Sequence, residues 1–175
     1  LSGSPTDCVK VGVEAIFSDI TFDLLVSGIN RGPNLGSDIF YSGTVSAALE
    51  GLYLNIPSIA LSNCSFEDNK SDYDLICNKF SEFLNGYLTN MSQEFILNIN
   101  FPEKMDFDHK FTLASLGRRD YENSIMRREL EPDLHEFTIG GNPTIVSEMS
   151  DNDVFMIQEN KITVTPIYNS LYSHG

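Results

Sequence analysis

Two short stretches hold the residue types and spacing that could do chemistry. In Ser27-Gly28-Ile29-Asn30-Arg31-Gly32-Pro33-Asn34-Leu35-Gly36, three glycines and a proline let the backbone turn sharply and come close to a ligand. Asn30 offers a neutral, hard amide oxygen of the kind that binds Mg²⁺ or Mn²⁺. The second stretch, Tyr41-Ser42-Gly43-Thr44-Val45, puts two hydroxyls and a glycine where a helix opens, and backbone N–H groups there suit a phosphate. A plainer reading stands beside each. Asn30 and Asn34 are also ordinary turn residues, and Ser42 or Thr44 could simply cap a helix. Spacing alone leaves both readings open.

The elements that must position these residues follow from periodicity. Ser4-Pro5-Thr6-Asp7 starts a helix, with Val9, Val13, Ile16 and Phe17 forming one apolar face. Asp23–Val26 reads as a strand buried on both faces and ending at Ser27-Gly28. Gly28 to Tyr41 shows no period and reads as a loop. A helix from about Ser42 carries Val45, Ala48, Leu49 and Leu52, and Pro57 introduces a strand over Ser58–Leu61. Residues 63–72 read as a polar surface loop. The strongest helical period runs from Tyr73 through Ile76, Phe80, Phe83, Leu84 and Tyr87 to Leu88. Phe95–Ile99 is a further strand, stopped by Pro102. Alternation of this kind predicts an α/β fold: a Rossmann-like, three-layer parallel sheet with helices on both faces.

After Pro102 the pattern changes. Residues 111–116 and 136–140 read as strands around a charged segment, Arg118 to Arg128, and Ile162–Ile167 as a last strand. We divide the chain into a core at 1–102, an antiparallel hairpin appendage at 103–146, and a return to the core with a tail at 147–175. The chain begins at Leu1, in what reads as the end of a strand and the start of a helix. An N-terminal part of the fold is therefore expected upstream.

Composition excludes several functions. The 175 residues hold 11 Lys plus Arg against 25 Asp plus Glu, a net charge of −14. That balance argues against a protein that grips DNA or anionic lipid through a basic face. No apolar run approaches the roughly 20 residues of a membrane span, and no signal peptide is visible. Cys8, Cys64 and Cys77 form neither a disulfide framework nor a zinc pattern, which fits reduced thiols in a cytoplasmic protein. A nicotinamide-dependent oxidoreductase is disfavoured because the Gly-x-Gly-x-x-Gly fingerprint is missing.

Taken together, Gly3-Ser4-Pro5-Thr6-Asp7-Cys8-Val9, the Ser27–Gly36 string, Tyr41–Val45 and Glu50-Gly51 resemble the SurE survival-protein family. The likeness continues through Leu97–Pro102, Gly117–Tyr121 and Ile162–Pro166. It implies a metal-dependent phosphohydrolase that removes phosphate from nucleoside 5'-monophosphates, with 3'-nucleotidase or broader phosphatase character. On that resemblance Asn30 is a ligand of a divalent metal, Mg²⁺ or Mn²⁺, and Gly28, Ser42, Gly43 and Thr44 lie at the phosphate.

The family's remaining ligands are two adjacent Asp and a Ser, all expected upstream of Leu1. No Asp-Asp pair occurs in these 175 residues. No catalytic residue is therefore assigned within the chain, and the stretch alone is expected to be inactive. A nucleotide-binding or assembly protein that keeps the fold without catalysis is the alternative.

The resemblance further implies a homodimer or homotetramer, joined through the arm carrying Arg118, Arg119, Arg127 and Arg128 and through a C-terminal tail. A mixed-charge solvated face is the plainer reading of those arginines. Departures from the family pattern fall late in the chain. Asn152 precedes Asp153 where Thr is usual, Asn160-Lys161 replaces Gly-Tyr, and Ser170 stands where Asp is common. His174 reads as an exposed terminal residue.

Overall fold

A computed structural model of the chain describes residues 2–66, 70–87, 92–145 and 150–168. A five-stranded sheet runs in the order β1 (Leu25–Arg31), β2 (Ser58–Asn63), β3 (Phe95–Phe101), β9 (Ile162–Tyr168), β4 (Phe111–Leu113). β1, β2 and β3 pair in parallel, as do β4 and β9, whereas β3 and β9 are antiparallel. The sheet is thus mixed rather than wholly parallel. The cause lies in the connections. Between β3 and β4 there is no crossover helix, so β4 reverses direction. The chain then reaches β9 through α4 (Asp153–Gln158), which makes β9 parallel to β4 and antiparallel to β3. Residues 111–113 accordingly sit in the body of the molecule, although the sequence placed them in the arm.

Two helices cover opposite faces. On β3 the side chains alternate, as the pleat requires. Leu97, Ile99 and Phe101 join Ile59, Leu61, Ile162 and Val164 beneath Ile76 of α3 (Lys70–Tyr87), with Phe80, Phe83, Leu84 and Tyr87 packed around them. Phe83 also meets the Phe111 ring, at 4.7 Å between centroids. Ile96 and Ala60 face the other way, onto Val45, Ala48 and Leu52 of α2 (Gly43–Tyr53). Each fully buried Ile or Leu contributes about 1.5–3 kcal/mol. Toward the carboxyl ends of β2 and β3, and the amino end of the antiparallel β9 beside them, this second face turns polar: Ser62, Asn98, Asn100, Thr163 and Thr165 are all buried.

Three local expectations change. α1 (Pro5–Val11) is capped by Ser4, but it gives way to a single π turn at Gly12–Ile16. That wider turn moves Ile16 and Phe17 off the inward face, and both are exposed. β1, expected to be buried on both faces, pairs within this chain with β2 alone and leaves Val26 43% exposed. The charged segment is itself β structure. β5 (Arg119–Glu122) pairs with β8 (Asn142–Ile145), and β6 (Ile125–Glu131) pairs with β7 (Leu134–Ile139) as a hairpin. Every residue of β6 is exposed, so no alternation betrays the strand. Leu88, Ser170 and His174 lie outside the described residues. Among the described residues, no helix is long and apolar enough to cross a membrane.

Candidate functional site

β1 runs on through Asn30 and Arg31, so Asn30 stands at a strand end rather than in the loop that the sequence suggested. Between Ser27 and Asn30 the register with β2 slips by one residue. Gly28 makes the slip possible. Its φ is +125°, and a Cβ there would lie 2.4 Å from the Leu61 carbonyl oxygen. The bulge turns Asn30 toward the start of α2. Asn30 Nδ2 donates to the Gly32 carbonyl at 2.8 Å, which fixes the amide and leaves Oδ1 facing Thr44, whose hydroxyl donates to it at 3.4 Å. A neutral oxygen oriented by its own amide and held only by a long contact is suited to a hard cation. It is one ligand. Among the described residues no group of three or more His, Cys, Asp or Glu is placed to hold a metal.

Ser42 caps α2: its hydroxyl oxygen accepts from Val45 N–H at 3.2 Å. Helix geometry leaves the N–H groups of Gly43 and Thr44 without an intrahelical partner. With the positive end of the helix dipole, they form an anion-attracting corner beside Asn30. Gly43 answers a packing demand as well, since a Cβ would come within 3.0 Å of Pro5 Cγ at the start of α1. The structure thus brings Asn30, Ser42, Gly43 and Thr44 to one corner. Gly28 sits below it, serving the strand bulge.

What holds the intervening loop was missed from the sequence. Asn34 is buried and works as an anchor for its own backbone. Its N–H donates to Asn100 Oδ1 at 2.9 Å, and its carbonyl accepts from Asn98 Nδ2 at 2.8 Å and Asn100 Nδ2 at 3.0 Å. Its own Nδ2 donates to Ser62 Oγ at 2.7 Å. The signal was present in Leu97-Asn98-Ile99-Asn100-Phe101, where two amides alternate with apolar residues along a buried strand. Such groups need partners, and a loop backbone supplies them.

Asp153 makes a second clasp. Its carboxylate accepts from Gly36 N–H at 2.9 Å and Gly117 N–H at 2.8 Å, joining the loop to the root of the arm. Burial pushes the Asp153 carboxyl above its ordinary value, against the opposing pull of those N–H groups. Beyond Gly36 a 3₁₀ turn, Gly36–Tyr41, carries Asp38. Arg119 Nη1 donates to Asp38 Oδ2 at 2.7 Å and the Tyr121 hydroxyl donates to it at 2.6 Å. Burial and that carboxylate raise the Tyr121 hydroxyl to about 12. The arginines divide accordingly. Arg119 ties the arm to the body, Arg118 pairs with Asp120 in solvent, and Arg127 reaches His135 across the hairpin.

Comparison with known proteins places this corner in context. The family model described as "Survival protein SurE" matches residues 1–123. A 5'-nucleotidase SurE from Syntrophomonas wolfei is 38% identical over 173 residues, covering 98% of this chain and 65% of that protein. A 5'/3'-nucleotidase SurE from Wigglesworthia glossinidia brevipalpis is 36% identical over 172 residues, 97% of this chain and 67% of its own length. The crystal structure of the SurE protein from Aquifex aeolicus superposes with a TM-score of 0.81 at 30% identity, over 98% of this chain and 69% of that one. The chain therefore spans about two thirds of the length of the relatives it matches.

Proposed function

Because the chain belongs to the SurE family, we propose that it supplies the phosphate corner and one metal ligand of a phosphohydrolase acting on nucleoside 5'-monophosphates. Relatives that bear the names 5'-nucleotidase and 5'/3'-nucleotidase support the activity. The observation that carries it here is the meeting of Asn30 Oδ1 with Thr44 at the opening of α2.

In this reading Asn30 holds a divalent cation, Mg²⁺ or Mn²⁺, through its amide oxygen. When bound, the ion offsets the charge of the phosphate dianion against a chain of net charge −14. The N–H groups of Gly43 and Thr44 and the Thr44 hydroxyl orient the phosphate, with Ser42 holding the helix end in place. Gly28 aims Asn30 through the strand bulge. Phosphoryl transfer asks mostly for positioning and charge stabilisation, and both are provided by groups fixed before substrate arrives. One neutral oxygen does not retain such an ion by itself. The reading therefore requires the adjacent Asp pair that the family resemblance assigns and this sequence does not contain.

Residues 1–102 serve as the nucleotide-phosphatase core, 147–175 as its return, and the arm within 103–146 joins copies of the chain into a dimer or tetramer. The exposure of Ile125, Met126, Phe137 and Ile139 along β6 and β7 supports an arm that packs on a second copy. The protein acts in the cytoplasm. The test of the function is phosphate release from AMP by the full-length protein with Mn²⁺. Absence of release at any metal concentration would favour the nucleotide-binding alternative.

A further inference from the structure

We propose that Phe66 is the surface on which the nucleobase of the substrate stacks, a specificity residue for the nucleoside half of the ester; the proposal rests on the nucleotidase reading above. Three observations place the ring. Arg31, the residue after Asn30, donates from both Nε and Nη2 to the Phe66 carbonyl, at 2.8 and 2.6 Å. The turn leading out of β2 is closed by Ser65 N–H donating to Asn63 Oδ1 at 3.0 Å, and Gly32 N–H donates to the Asn63 carbonyl at 2.8 Å. The ring itself rests on Gly32, where φ is +104° and a Cβ would lie 2.8 Å from Phe66 Cε1. Gly32 in turn accepts the Asn30 amide. One glycine thus carries the aromatic ring and orients the candidate metal ligand.

Despite this anchoring Phe66 is 68% exposed. An aromatic residue tied down through its backbone but uncovered beside a polar corner offers a face to a flat partner. Stacking on a base needs no positive charge, which suits a strongly acidic chain. Phe also lacks any hydrogen-bonding group to read a base edge. The surface therefore discriminates by stacking area, and purine nucleotides bind ahead of pyrimidine nucleotides.

The test is equilibrium binding of AMP and of ribose 5-phosphate, in the presence of Mn²⁺, to the full-length wild-type protein and to its Phe66→Ala, Phe66→Trp and Phe107→Ala variants. The wild type binds AMP about tenfold more tightly than ribose 5-phosphate. Phe66→Ala removes that preference, Phe66→Trp retains it, and Phe107→Ala, which changes an exposed Phe elsewhere, leaves it intact. A preference for AMP that survives in Phe66→Ala overturns the proposal, as does equal binding of the two ligands by the wild type. Loss of the preference in Phe66→Ala sustains it even if the full-length protein releases no phosphate from AMP, an outcome that would count against the activity instead.

Discussion

The Thr44 hydroxyl stands 3.4 Å from Asn30 Oδ1, although fourteen positions separate the two in sequence. The first closes the candidate phosphate corner from the helix side and the second from the strand side. Everything between them is fixed from below, by Asn98 and Asn100 at Asn34 and by Asp153 at Gly36. Replacing Thr44 by Val keeps the shape and removes the donor. The expected result is a fall of about ten- to a hundredfold in kcat/KM for AMP, the scale of one hydrogen bond to a charged group. Unchanged kinetics would place Thr44 outside the phosphate corner.

Asn100→Ala tests the loop anchor. It leaves the buried Asn34 N–H without its acceptor and removes one donor to the Asn34 carbonyl. The expected cost is about 2–4 kcal/mol, which for a chain of this size lowers the melting temperature by roughly 5–15 °C. Calorimetry on the wild type and the variant checks it; a shift of under about 2 °C would show that the amide ladder is dispensable.

How much of this was legible beforehand differs between elements. α2 and α3 announce themselves, because apolar residues such as Val45, Ala48 and Leu52 recur at helical steps on faces that are buried. The candidate corner was proposed from the family resemblance, because spacing alone left Asn30, Ser42 and Thr44 open to plainer turn and cap roles. The alternation of Asn98 and Asn100 with apolar residues signals buried amides in need of partners, but not which partners, since the Asn34 backbone they hold lies 64 and 66 positions away. β6 escaped because both of its faces are exposed.

The Asp153 clasp carries a pH signature. Burial holds its folded-state carboxyl above the ordinary value of 3.8, so in the unfolded chain the acid ionises first as pH rises. The contribution of this group to stability is complete below that ordinary value and is lost as pH climbs through the raised one. Asn in its place does not titrate. The stability of the wild type relative to Asp153→Asn, from urea unfolding between pH 4 and 7, should therefore decline with rising pH. A difference that grows with pH would contradict the direction.

The thiols should separate by environment. Cys8 and Cys77 are exposed, whereas burial raises the Cys64 thiol to about 12 and leaves almost no thiolate near pH 8. Titration with a disulfide reagent at pH 8 is expected to modify two sulfurs rapidly and the third only after denaturant is added. Three equally fast thiols would mean that the environment of Cys64, beside Pro33 and Leu35, is open.

The central claim is that Asn30 shares a catalytic cation with acids outside this sequence. Phosphate release from AMP by the full-length protein tests it most directly, measured with Mn²⁺ before and after EDTA, in the wild type and in Asn30→Ala. The account predicts that EDTA abolishes release, that Mn²⁺ restores it, and that Asn30→Ala lowers it by about a hundredfold with a raised Mn²⁺ requirement. Release that is indifferent to EDTA, or full activity in Asn30→Ala at the same Mn²⁺ concentration, would contradict it.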